Sequence, residues 1–239
     1  MTYLLYFIFA LLPSIIWLLF YLRKDARPES NPMILKIFFW GMFIAIPTFF
    51  IELAIFQVTA KVPLPHFLIF LFNIFIGVAL VEEFLKYLVV REKVLPSSEL
   101  DEPLDVMLYM IIAALGFAAS ENILRFFSPE MLRLSLPETL AMALLIFIST
   151  IFFHALVSGT FGFFLALGFF ETKKRLKLFA TGLAIATFLH GLYNFSIMKI
   201  AGYLKFILLL IIIAGLAIFV SLGLQRLKKM KSVCKIITK

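Results

Sequence analysis

The chain has 239 residues, 63% of them hydrophobic and only 15% charged, with 30 phenylalanines and a mean hydropathy of +1.08. So few charges exclude a soluble domain and point to an integral membrane protein. The formal charge of +8 would suggest nucleic acid in a soluble protein, but its distribution along this chain assigns it to a membrane face instead, with no nucleic-acid partner.

In chain order, seven stretches reach the roughly 20 apolar residues that a bilayer crossing needs: 3–22, 34–58, 64–90, 104–127, 138–170, 178–198 and 203–224. The fold class expected is all-α, a polytopic membrane bundle of about seven transmembrane helices. Only Met1-Thr2 precede the first stretch, and Arg23-Lys24 follow it, so it reads as a retained helix with its N-terminus outside rather than a cleaved signal. Seven crossings then put the C-terminus in the cytoplasm. Every lysine and arginine except Lys61, Arg125, Arg133, Lys199 and Lys205 falls on the cytoplasmic side, as the positive-inside rule requires.

Residues 138–170 would make about 50 Å of helix at ~1.5 Å per residue, against a hydrocarbon core of about 30 Å. One long, tilted or interrupted helix is expected, with the break at Ser158-Gly159. Two crossings there would put Lys173-Lys174-Arg175 outside. In the longest polar loop, Asp101-Glu102-Pro103 reads as a helix start, with acidic groups at the positive dipole end and proline in the first turn. Glu138, after Pro137, reads the same way. The whole chain, 1–239, is expected to be a single transmembrane domain with a catalytic-like core over 64–198. Its basic tail, 225–239, carries the lone cysteine, Cys234, so no intrachain disulfide is possible, and rests against anionic lipid.

Ionisable groups inside these stretches need a reason, because one near a bilayer centre costs at least ~2.5 kcal/mol on insertion scales. In "VALVEEFLKYLVV" (78–90), Glu82 and Lys86 stand four residues apart on one helix face and suit an ion pair. Glu83 lies about 100° around the helix with only Lys86 as a local partner, and two carboxylates are harder to explain structurally than one. In "GFAASENILRFF", Glu121 and Asn122 follow a run of small residues, and Glu121 falls toward the outer end of its span, meeting Glu82 only if helices tilt or a cavity intervenes. His154 shares a face with Ser158, Gly162 and Ala166. His190 shares one with Gly182, Ala186 and Asn194, so both histidines sit on small-residue faces that pack against other helices. His66 reads as interfacial, and Glu52 and Asn73 as boundary or packing groups.

Carboxylates beside imidazoles in a desolvated cavity have the parts to activate water, with histidine or asparagine stabilising an oxyanion. No serine or cysteine nucleophile suggests itself. A metal is an alternative, since two histidines and a glutamate make a common catalytic zinc set, although the local H-E-x-x-H signature is absent and the ligands would have to converge from three helices.

The motifs "EEFLK" (82–86), "FAASEN" (117–122), "HALVSG" (154–159) and "HGLYN" (190–194), in that order on successive apolar stretches, resemble the PrsW family of intramembrane proteases, related to the CAAX prenyl endopeptidases. The resemblance covers residues 82–194. It implies an endopeptidase of a prokaryotic cell membrane acting on a membrane-anchored protein, in the family's case an anti-sigma factor. It implies catalytic Glu82, Glu83, His154 and His190, supported by Lys86, Phe117, Glu121, Asn122 and Asn194. Glu121 stands where the prenyl endopeptidases have histidine, which favours Glu82 with His154 or His190 for water activation. If zinc is used, His154, His190 and Glu82 or Glu83 would be the ligands. Two other classes compete: a noncatalytic scaffold for transmembrane helices, which would tolerate Glu82→Gln, and a proton-coupled transporter, which should show inverted repeats that are not found.

Overall fold

A computed structural model describes residues 3–24, 27–170 and 172–230. It contains seven helices long and apolar enough to cross a membrane: α1 (Tyr3–Leu22), α2 (Asn31–Thr59), α3 (His66–Lys93), α4 (Pro103–Phe126), α5 (Leu136–Phe169), α6 (Arg175–Lys199) and α7 (Gly202–Lys228). No strand occurs among the described residues. All seven expected stretches are present, most of them longer than hydropathy indicated because polar residues cap and extend them. Cys234 and most of the basic tail lie outside the described residues.

The helix starts follow local chemistry. Ser30 accepts from the Met33 amide at the start of α2, with proline in its first turn. At α4, Asp105 Oδ2 accepts from the Glu102 amide at 2.7 Å, and Pro103 opens the helix. Ser135 and Glu138 form the equivalent box on α5. Gly202, at φ +66°, allows the two-residue turn between α6 and α7. Short connections make successive helices antiparallel, so Arg23, Arg91, Arg175 and Arg226 share one end of the bundle, called here the basic end.

α4 is the central pillar. Of its apolar stretch 94% is buried, against 28–44% for the other six, and it packs on α1, α2, α3, α5 and α7. Its contact with α2 is backbone to backbone: a β-carbon on Gly41 would fall on the Ala113 carbonyl oxygen, and one on Gly116 on that of Phe38. Outward faces carry large apolar side chains such as Phe39, Phe43 and Phe50 on α2 and Leu210, Ile211 and Ile218 on α7. That is the surface a helix presents to lipid.

Two irregularities shape the interior. α3 is π-helical over Asn73–Leu80, and α5 over Phe147–Ile151. The expected break at Ser158-Gly159 is not there. That part of α5 is regular helix, its small residues serving close packing, since a β-carbon on Gly159 would sit 3.0 Å from the Ile111 side chain. The interruption comes earlier, at Phe147–Ile151.

Gly116→Ala is expected to lower thermal stability in detergent by about 1–3 kcal/mol through overpacking. Gly215→Ala, with nothing within 4 Å of its new carbon, should leave the melting temperature unchanged or raise it. Equal shifts would show that the α2–α4 crossing is not tight.

Candidate active site

Lys86 is the centre of the site. Its side chain is wholly buried, and Nζ lies 3.0 Å from Glu82 Oε2, 2.9 Å from Glu83 Oε1 and 3.1 Å from His154 Nδ1. The Phe117 ring closes the remaining side, 4.3 Å from the ammonium to its centroid. The i, i+3 and i, i+4 spacing supplies both carboxylates locally, and α4 and α5 bring the ring and the imidazole.

Glu83 is saturated. Oε1 also meets His190 Nδ1 at 3.0 Å, and Oε2 accepts from Ser158 Oγ at 2.6 Å. No part of it is exposed. α6 approaches closely enough for this because residue 191 is glycine: a β-carbon there would fall on the Phe75 ring of α3.

The two imidazoles are held differently. A carboxylate beside His190 Nδ1 selects the tautomer with hydrogen on that nitrogen, leaving the Nε2 lone pair free, 3.9 Å from Glu82 Oε2. His154 Nδ1 faces an ammonium, which donates, so its hydrogen belongs on Nε2. That nitrogen is 3.0 Å from Glu121 Oε2, an ion-pair distance without the alignment of a hydrogen bond. The rings meet edge to face at 5.2 Å between centroids.

A cavity of about 680 Å³ opens beside the cluster. Glu82, Glu121, His154, His190 and Asn194 line it; Glu83 and Lys86 stand behind the wall. Both π-helical segments contribute, through Asn73, Ile74 and Val78 of α3 and Ser149 and Thr150 of α5, in keeping with the tendency of π turns to occur at functional sites.

The sequence-derived residues thus come together with one exception. Glu82, Glu83, Lys86, Phe117, Glu121, His154 and His190 form one connected cluster, and Glu121 reaches it despite lying near the end of α4. Asn122 is buried away from the cavity, and nothing in the structure explains why neither atom of its amide has a partner. His66, read from the sequence as interfacial, is exposed at the start of α3. Asn73 accepts from Thr59 at 2.9 Å, tying the end of α2 to α3. Glu52 proves to be more than a boundary group, since it lines the cavity with Oε1 buried and unpartnered. Tyr193 and Arg125 also line it. The sequence held one clue to Tyr193, its i+3 spacing from His190.

One oxygen or ring nitrogen from each of Glu82, Glu83, His154 and His190 fits within a 4.8 Å span, all four residues being buried. This set fits a zinc-type ion in ligand chemistry. Glu82 and His190 Nε2 are open to such an ion. His154 Nδ1 and Glu83 Oε1 are engaged by Lys86. Glu82, Glu83 and Glu121 place three carboxyl groups around Lys86 and His154.

Apolar membrane-spanning helices around buried carboxylates and imidazoles on a cavity define a polytopic membrane enzyme. The model of the PrsW family of intramembrane metalloproteases matches residues 29–222, a wider span than the motifs alone covered, and the chain belongs to that family. It is 33% identical over 181 residues to Protease PrsW of Geobacillus kaustophilus, covering 75% of this chain and 73% of that protein. It is 28% identical to Protease PrsW of Bacillus subtilis over 215 residues, covering 90% and 89%, and to that of Clostridioides difficile over 197 residues, covering 80% and 79%. No solved structure matches the chain. The protein is an intramembrane protease, an integral multi-pass membrane protein of a prokaryote.

Lys86→Met leaves two buried carboxylates without their counter-charge and is expected to destabilise the fold by about 3–5 kcal/mol. Adding Glu83→Gln should recover part of that loss in thermal melts. A melting temperature unchanged by Lys86→Met would show that the ammonium is not needed to hold the cluster.

Proposed function

We propose that the cavity hydrolyses a peptide bond of a membrane-anchored protein, with Glu82 and His190 activating water. The observation that carries this reading is the 3.9 Å separation of Glu82 Oε2 and His190 Nε2. It is too long for a direct hydrogen bond and right for a shared water. A water about 2.8 Å from both acceptors subtends roughly 90° between them, near its own bond angle. Both its hydrogens are then claimed and its lone pairs face the cavity.

In this reading Glu82 takes a water proton as oxygen bonds to the scissile carbonyl carbon, and returns it to the leaving nitrogen when the carbon–nitrogen bond breaks. Glu83 is a positioning residue that fixes the tautomer of His190, as Ser158 fixes Glu83. Lys86 balances the charge, and Phe117 shields it. His154 Nε2–H and the Asn194 amide supply hydrogen bonds to the oxyanion. Where zinc is bound, His154 and His190 with Glu82 or Glu83 would hold it, and it would polarise the carbonyl and acidify bound water.

The basic end is assigned to the cytoplasm by charge bias, with the N-terminus outside and the C-terminus inside. The cavity then lies toward the opposite face, since Glu121 is little more than a helical turn from the end of α4 at Phe126. A single-pass substrate with an extracytoplasmic domain, of the anti-sigma-factor kind, fits that placement. The catalytic unit assigned to 64–198 is best extended to α2, which contributes Glu52, within one domain.

New protein N-termini in host membranes carrying the wild-type chain should disappear with Glu82→Gln and with His190→Asn, cleavage falling at least ~100-fold as for loss of a general base. Identical profiles in folded, equally expressed pairs would overturn the proteolytic role of these residues. Elemental analysis of purified protein decides between water and zinc at His190: stoichiometric zinc that His190→Ala loses would put an ion on His190 in place of the shared water. Metal-free protein that still cleaves, and is insensitive to chelators, would leave Glu82-activated water as the mechanism.

A further inference from the structure

A transmembrane helix offers a protease nothing to cut while it stays helical, because its main-chain carbonyls are taken by its own amides. Unwinding a segment frees those groups in a cavity walled by apolar side chains, where each unpaired one costs several kcal/mol. A cavity that accepts such a segment therefore needs spare hydrogen-bonding groups apart from those of the chemistry.

Tyr193 has the properties of one. Its side chain is 2% exposed and lines the cavity one helical turn from His190, yet its hydroxyl has no hydrogen-bond partner. The ring is fixed: Phe153 stacks on it at 3.8 Å and 8°, and the edge of the same Phe153 meets His190 at 5.4 Å. Ser149 and Thr150, in the π-helical segment of α5, interact with the Tyr193 hydroxyl across the same cavity without the alignment of a hydrogen bond. Ser149 already donates to the Leu145 carbonyl. Among the described residues, the cavity-lining side chains with a buried unpartnered atom are the carboxylates Glu52 and Glu121 and the hydroxyl of Tyr193.

We infer that the Tyr193 hydroxyl, beside Ser149 and Thr150, donates to a main-chain carbonyl of an unwound substrate segment next to the scissile bond. This rests on the proteolytic reading of the cavity and gives it a specificity: segments that unwind readily near the extracytoplasmic end are held, and uninterrupted helices are not. Tyr193 is on this account a substrate-binding residue that takes no part in proton transfer. A hydroxyl without an aligned protein partner contributes little to the fold, so its removal is expected to cost little stability.

The test is binding, measured in nanodiscs with fluorescent single-span Leu/Ala peptides, one interrupted by Gly-Gly and one uninterrupted. Glu82→Gln is compared with Glu82→Gln/Tyr193→Phe, so that no turnover intervenes. Tyr193→Phe is expected to weaken the Gly-Gly peptide about 3- to 10-fold, the worth of one net hydrogen bond, to leave the uninterrupted peptide unaffected and not to lower the melting temperature. Equal affinity of both proteins for the Gly-Gly peptide, equal weakening for both peptides, or a lowered melting temperature would each overturn the inference. Cleavage by Glu82→Gln at the wild-type rate would count against the catalytic assignment instead, and the binding comparison would then be made with peptides whose backbone is N-methylated at the cleaved bond.

Discussion

An ammonium in a low-dielectric interior persists only where opposite charge and hydrogen-bond acceptors surround it, and Lys86 meets both conditions within a single turn of α3. Two carboxylates, an imidazole nitrogen and an aromatic face enclose it. The arrangement ties three helices together, since the carboxylates come from α3, the ring from α4 and the imidazole from α5. Through Glu83 it extends to α6 and His190. The bundle is thus fastened by polar contacts at the depth of the candidate site, and the residues that hold the helices together are those that line or back its cavity.

The paired glutamates consequently differ in character although they are adjacent in sequence. Glu83 has both oxygens committed and no exposure, which suits orientation. Glu82 shares only one oxygen with Lys86 and borders the cavity, which suits contact with water and peptide. Similar differentiation separates the histidines: His190 has a carboxylate behind it and a free nitrogen in front, while His154 spans an ammonium and a carboxylate. Environment assigns these roles, as in other sites where two like groups do different work.

The membrane spans were legible because hydropathy depends on a whole segment, and the starts of α4 and α5 because caps are local. The intrusion of Glu82, Glu83, Lys86, His154 and His190 into apolar sequence marked the cluster correctly. The departures trace to the π-helical segments. A helical wheel at 100° per residue loses phase across Asn73–Leu80 or Phe147–Ile151, so the wide turn in α5 could not be told from a break at its glycine. Nor could a wheel show that Glu121 leans to His154, or that Glu52 and Tyr193 face the cavity, since these depend on how separate helices cross.

The burial of α4 also bears on how this family diverges. Six helices present much of their surface to lipid, where one apolar side chain serves nearly as well as another. α4 is less apolar than five of those six, yet nearly every side chain on it meets protein, and at Gly41 and Gly116 backbone meets backbone. Mutational drift is therefore cheap on the outer surface and confined at the pillar. A substitution on the outer surface can leave the helix crossings and the cluster as they are, whereas one on α4 reaches both.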